Sequence, residues 1–373
     1  MKIILFGKSF IYLLLLFFVI SCENKSKSSI IHENKIPRHG HTQIYKNNKI
    51  FIIAGLTKKL PLNSIEIFNI EKNIFEKIIP VNFLKRGWHR TSKLQKDFLL
   101  ISGGWSNGNL ALRESIIIKI PSLKIKAKPN LNIGRYDHTS TSISDSKILI
   151  TGGNDGKRAL RSIEIFDMNQ SKFITNKQPL YHRRQQHTAT ILKNRNILIL
   201  GGTSDNRTSY AEIFQLENYR TKLVRTPLNN ARSRHTSTLL NDGRVLITGG
   251  LGSKGTLKTA EIFNPTEEKI TLLKNQMLVA RQQHTSTILP DGRIVIIGGW
   301  GGGGKTLDSI EIFYPTLNCF EKFGILSQPR RFHSSTFISD NKILVVGGAS
   351  DEKVHSNSET IHIGKRKKNV SCD

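Results

Sequence analysis

The sequence predicts an all-β fold, a seven-bladed propeller of four-stranded antiparallel blades whose last blade is closed by the N-terminal strand. Three observations carry this. Seven histidines (His41, His89, His138, His187, His235, His284 and His333) recur at intervals of 48 or 49 residues. Each has an arginine three positions before it: Arg38, Arg86, Arg135, Arg184, Arg232, Arg281 and Arg330. Beyond each histidine an aliphatic run ends in paired glycine, from Gly103-Gly104 to Gly347-Gly348, with Ala54-Gly55 in the first repeat. Repeats at a fixed period of this length mark units that cannot bury their apolar faces alone and must stack. No segment shows sustained helical periodicity.

Each repeat resolves into four strands. Strand a starts at the histidine, as in residues 284–289, and Asp242-Gly243 and Asp291-Gly292 supply two-residue hairpin chemistry after it. Strand b, as in residues 293–297, is almost wholly apolar, which suits a strand covered on both faces by neighbouring sheets. Strand c carries Glu-Ile-Phe, with Glu66, Glu164, Glu212, Glu261 and Glu311 in equivalent places. The second repeat is degenerate, its segment Ser115–Lys119 having no glutamate. Asn264-Pro265 and Tyr314-Pro315 turn the chain into a weaker strand d, such as residues 320–323. The seventh repeat has strands a, b and c only. Residues 30–35 stand before the first arginine, where a strand d belongs, so they are expected to complete blade seven and leave no open sheet edge.

The paired glycine ending strand b, the repeat of roughly 50 residues and the aromatic end of strand c resemble Kelch repeats over residues 31–366. The likeness departs in strand d, where Phe, Lys, Ile or Thr replaces the usual tryptophan. The resemblance implies a propeller and does not by itself decide between binding and catalysis. It also brings in copper-radical sugar oxidases and a bacterial sialic-acid mutarotase, which are related enzymes. The oxidases use a tyrosine cross-linked to a cysteine near copper. Cys319 falls in a c–d turn, on the face opposite the candidate site, which leaves that cofactor without a home. No cofactor and no metal are expected.

The chain opens with Lys2 and Lys8 around an uncharged apolar run, Ser9–Ile20, of 12 residues. That run is too short to span a bilayer core of ~30 Å and has the length of a signal-peptide core. Val19-Ile20-Ser21-Cys22 resembles the lipobox of bacterial lipoproteins, in which the cysteine is acylated. The expected organisation is a signal peptide over 1–21, a lipidated polar tether over 22–29, a propeller over 30–366 and a basic tail over 367–373. This implies a monomer in the cell envelope, lipid-anchored to the outer membrane or cell surface. Cys319 and Cys372 are the cysteines that remain, and their spacing leaves a disulfide between them open.

The formal net charge is +28, a surface that attracts polyanions such as acidic glycans or anionic lipid. No basic block interleaved with stacking aromatics points to nucleic acid. The d–a corners and b–c loops share one face, and the b–c loops vary most in length. That face carries Trp88, Trp105 and Trp300, with Lys305 beside the last, and is the candidate binding face. The arginines and histidines could ring the channel as an anion or metal site. A feature present in every blade is better explained by a structural need, such as an Arg–Glu pair fixing each corner. Five clear glutamates for seven arginines would leave a residual positive field.

Two motif matches are set aside. Residues 299–306 fit G-x-x-x-x-G-K-[ST], but a strand, not a helix, follows Thr306. Residues 104–108 fit G-x-S-x-G, but in a loop of the repeat rather than a strand-to-helix elbow. The expected function is a non-catalytic binding module for a glycan, matrix component or protein partner. The alternative is a sugar-acting enzyme with its site at the channel mouth. A carboxylate and a base present in single blades would favour that alternative.

Overall fold

The computed structural model describes residues 29–365 apart from Lys35 and Asp340. Residues 1–28, where the signal peptide, Cys22 and nearly all of the tether are expected, and residues 366–373, with Cys372, lie outside the described residues.

The chain forms seven four-stranded antiparallel sheets arranged as blades. Blade three is representative. Strand a is Thr139–Ser142, strand b Lys147–Thr151, strand c Ile163–Asp167 and strand d Lys172–Thr175, paired in that order. Strand a lines the channel and strand d the rim. The d–a corners and b–c loops form an upper face; the a–b and c–d turns form a lower one.

Strand b alternates its side chains between two neighbours, so every b strand is buried on both sides. In blade one, Phe51 and Ile53 pack towards blade two while Ile50 and Ile52 pack towards blade seven. The seven apolar clusters thereby fill the seven gaps between blades.

The ring closes as expected. Ile30–Glu33 pairs antiparallel with strand c of blade seven, Asn357–His362, with Ile30 opposite Thr360 and Glu33 opposite Asn357. His32 Nε2 lies 3.0 Å from Thr360 Oγ1, and the amide of Asn34 donates to Ser356 at 2.6 Å.

Candidate functional site

The largest fully buried side chains are the seven corner arginines together with five phenylalanines of the sheets. A buried guanidinium survives only if its donors are matched. In blade three, Arg135 Nη1 donates to the carbonyl of Gly152 at 2.7 Å and Nη2 donates to Ser162 Oγ at 3.0 Å. Nη2 also pairs with Glu164, whose oxygens accept the amides of Asn132 at 2.7 Å and Ile133 at 3.1 Å. One carboxylate thus fixes both the arginine and the backbone entering the corner. Burial lowers the pKa of Arg135, and Glu164 opposes that fall.

The same pair recurs as Arg38–Glu66, Arg184–Glu212, Arg232–Glu261 and Arg281–Glu311. Two carboxylates were not counted in the sequence. Arg86 pairs with Glu114, which occupies the place that Ser64 holds in blade one, two residues before the usual glutamate. A displacement of two along a strand keeps the side chain on the same face. In blade seven, burial lowers the pKa of Arg330 and Glu359, which accepts the amide of Ser327, opposes that fall, while Arg330 Nη2 donates to Asn357 Oδ1 at 3.1 Å. Six corner arginines therefore pair directly with a carboxylate, and the seventh, Arg330, feels Glu359 through its charge alone.

The histidines tie neighbouring blades together. His89 Nε2 lies 2.9 Å from Thr42 Oγ1 of blade one, His235 Nε2 lies 2.9 Å from Thr188 Oγ1, and His333 Nε2 lies 3.0 Å from Thr285 Oγ1. His41 Nε2 closes the series on Ser334 Oγ of blade seven at 2.6 Å. The partner in each case is a hydroxyl of the neighbouring blade. The Nδ1 atoms of His41, His89, His138, His187, His235 and His284 are buried without a partner. That environment suits a neutral ring with its proton on Nε2. The paired glycines complete the joint, because each second glycine donates its amide to the arginine carbonyl of the next blade. Examples are Gly104 to Arg135 at 2.8 Å and Gly153 to Arg184 at 2.9 Å. A Cβ on Gly152 would stand 2.5 Å from the Arg184 carbonyl.

The two residues between arginine and histidine are not tied to this frame, and they make the site. The second of them is Gly40, Trp88, Asp137, Gln186, Arg234, Gln283 or Phe332. Its φ is +59° at Gly40 and between +50° and +57° at the six others. Left-handed backbone costs such residues about 1–2 kcal/mol each and persists where surroundings enforce it. What enforces it is a closed ring of backbone bonds around the mouth. Trp88 N donates to Gly40 O at 2.9 Å, Gln186 N to Asp137 O at 3.1 Å, Arg234 N to Gln186 O at 3.0 Å, and so on through Gly40 N to Phe332 O at 3.2 Å.

These side chains line a cavity of about 480 Å³ above the channel. Its two halves differ. On one side Phe332, His39, Trp88 and Tyr136 stand in sequence, with centroid separations of 5.8, 6.4 and 6.3 Å, and Trp105 backs Trp88 at 5.6 Å. Gly40 makes room for this wall, since a Cβ there would lie 2.9 Å from the Trp88 ring. On the other side Gln186 Nε2 donates to Asp137 Oδ2 at 3.0 Å, and Arg234 Nε donates to Gln186 Oε1 at 2.9 Å. Arg90 forms the floor. It stands where the other blades carry Thr or Ser, and it lines both the cavity and the hydroxyl-rich channel beneath. Burial raises the pKa of Asp137, while Arg90, the Gln186 bond and Arg234 pull it down.

The structure brings together Trp88 and Trp105 of the four residues proposed from sequence. Trp300 belongs to blade six, where the Arg331 guanidinium sits 4.9 Å over its ring, and neither it nor Lys305 lines the cavity. Sequence reasoning missed Arg90, Asp137, Gln186, Arg234 and Phe332. The signal was there, in the positions that vary inside a corner that otherwise repeats.

The phosphate-loop match is a hairpin: Gly301 N donates to Lys305 O at 2.8 Å, and Thr306 gives its amide and hydroxyl to Asp351 at 2.9 and 2.8 Å. Ser106 sits in a short hairpin of residues 105–111, not in an elbow. Cys319 begins strand d of blade six, on the lower face, and is held in a disulfide.

Residues 137–348 match the family profile described as the KLHDC2/KLHL20/DRC7 Kelch-repeats domain, and residues 37–78 match the Kelch motif. Among solved structures, the chain is similar to one titled as a fungal alcohol oxidase of the AA5 family in complex with copper. That match has 14% identity and a TM-score of 0.72, and covers 89% of this chain and 75% of that one. No curated protein sequence matches. The corner histidines spend Nε2 on hydroxyls, and among the described residues no three His, Cys, Asp or Glu are grouped to hold a metal.

Proposed function

The chain belongs to the Kelch-repeat family, and from that membership we propose an exported, lipid-anchored binding module that grips an acidic ligand at the upper mouth of the channel. One observation carries the reading: the mouth is a ring of side chains that the repeat leaves unlike from blade to blade. An aromatic half suits the flat apolar face of a sugar ring or side chain. Arg90 and Arg234 outnumber Asp137 and favour an anionic substituent. An acidic glycan or matrix component and an acidic segment of a protein both present that chemistry.

Delivery follows from the N-terminal sequence. A signal peptide over 1–21, an acyl chain on Cys22, a tether over 22–29 and a propeller over 30–366 ending in a basic tail over 367–373 describe a monomer held on the cell envelope, at the outer membrane or cell surface. Support comes from the apolar run of 12 residues that stops at Cys22.

The test is a screen of the chain from Glu23 onward against neutral sugars, acidic glycans and acidic peptides, with hits titrated against salt. Binding that salt weakens, and that Trp88→Ala and Arg234→Ala each reduce about tenfold or more, supports the mouth. Binding indifferent to both variants overturns it.

A sugar-converting enzyme is the second reading, favoured by Asp137 alone. It is a carboxylate of raised pKa, present in one blade and facing the cavity, the condition of a general acid–base group. Conversion of a small sugar that is lost in Asp137→Asn would establish it.

A further inference from the structure

Both ends of the described chain leave blade seven in the same direction. The closing strand Ile30–Glu33 runs upward, so the chain before Ile30 comes from the lower face. The neighbouring strand Asn357–His362 runs downward and is pinned at the lower rim, where Ile363 N donates to Asn341 O at 2.7 Å and Arg293 donates to Gly364 O at 2.7 Å. Beyond it follow Lys365, Arg366, Lys367 and Lys368.

The lower face next to this exit is basic. The a–b and c–d turns of blades one and two, with the strand ends that flank them, carry Lys72, Lys93, Lys96, Lys119 and Lys124, all exposed, against the acidic Glu71 and Asp97. On the other flank of the exit, the a–b turns of blades five and six are balanced, with Arg244 paired to Asp242 and Arg293 to Asp291. Of the two flanks of the exit, the one formed by blades one and two is therefore the basic one.

We infer that this lower sector rests on an anionic membrane surface, with the mouth held on the far side. The inference rests on the anchoring reading above for the membrane it meets, while the face is set by strand direction and charge. A single lipid attachment is strengthened by a second, electrostatic contact, and lysines near anionic lipid supply one that salt screens. Fixing the lower face also leaves the cavity open to a ligand approaching from outside.

The experiment uses the chain from Glu23 onward, which keeps every strand of the closed ring and carries no lipid. Its sedimentation with phosphatidylcholine vesicles is compared with vesicles containing phosphatidylglycerol. Expected is binding to the anionic vesicles only, weakened by salt. The combined variant Lys93→Glu, Lys96→Glu, Lys119→Glu, Lys124→Glu should lose about tenfold or more. An upper-face variant with the same charge change, Lys58→Glu, Lys59→Glu, Lys157→Glu, Arg158→Glu, should keep its binding, and both must retain the parent melting profile. Equal losses would reduce the effect to bulk charge and overturn the proposal, as would no binding to anionic vesicles. Metabolic labelling of Cys22 with palmitate in the full chain reports on the anchor separately. An unlabelled cysteine beside face-selective vesicle binding would sink the anchoring reading and leave the face standing.

Discussion

Gly348 donates its amide to the carbonyl of Arg38 at 2.8 Å, joining blade seven to blade one by the bond that joins every other neighbouring pair. The glycine before it lies in the same joint, since a Cβ on Gly347 would stand 2.4 Å from that carbonyl at a φ of +57°. Gly347→Ala must therefore push two blades apart and hold alanine in left-handed backbone. A destabilisation of about 2–4 kcal/mol is expected from strain and lost packing together. Urea denaturation measures it against Gly302→Ala, whose Cβ meets nothing within 4 Å. Equal midpoints for the two variants would show that the joint tolerates a methyl group.

Glu114 is assigned here as the blade-two equivalent of Glu164, which sets a quantitative expectation. Removing either carboxylate strands a fully buried guanidinium, a loss of about 3–5 kcal/mol. Glu114→Leu and Glu164→Leu should cost alike, although Glu114 is 17% exposed and Glu164 is not exposed at all. Adding Arg86→Met to Glu114→Leu should recover most of the loss, because no unpaired charge remains. A Glu114→Leu cost below about 1 kcal/mol, typical of an exposed pair, would refute the assignment.

The repeat made most of this frame legible. Histidine and arginine positions gave the blade count and the corner pairs, and the strand missing from the last repeat pointed to residues 30–35, of which Ile30–Glu33 form the closing strand. What repetition reveals is, however, what all blades share. Glu114 escaped because a carboxylate two residues away can reach the same guanidinium, which spacing does not register. Arg90, Asp137 and Arg234 escaped for the opposite reason. Each occurs in a single blade, and only three-dimensional closure of the corners shows that they face one cavity. Trp300 drew notice for its residue type, yet its ring is spent on Arg331.

The inter-blade histidines predict acid sensitivity. Burial beside arginines pushes His235 and His333 down to about 3, and His39 and His355 to about 4. His41, His89, His138, His187 and His284 also lie well below the usual value. The unfolded chain takes up protons below about pH 6.5 while these folded rings stay neutral, so stability falls as pH drops through that value and keeps falling towards about pH 3. At pH 5 each such histidine costs roughly 2 kcal/mol. Carboxylates held low by hydrogen bonds, such as Asp155, contribute their loss only nearer pH 4. A melting temperature measured from pH 8 to 4.5 should thus decline steeply from below pH 6.5. A flat profile down to pH 5 would mean that the rings are charged or solvated.

Asp137 makes the mouth itself sensitive to pH, in the opposite direction. Its carboxylate offsets part of the charge of Arg90 and Arg234, and burial raises its pKa above the ordinary value. As pH falls towards that raised value the carboxyl group takes a proton. The cavity then turns more positive, and an anionic ligand binds more tightly. Asp137→Asn fixes that state at neutral pH without altering shape, so it should strengthen binding of an acidic ligand several-fold and abolish the pH dependence. Arg234→Gln should do the reverse, weakening binding at every pH while leaving the pH dependence in place. Both follow from charge alone, since Asn keeps the bond to Gln186 and neither change touches the aromatic wall. Isothermal titration of the strongest acidic hit at pH 5.5 and 7.5 separates them. If Asp137→Asn instead eliminates binding, the carboxylate contacts the ligand directly, accepting from a hydroxyl or cation, and the mouth reads a neutral or basic group.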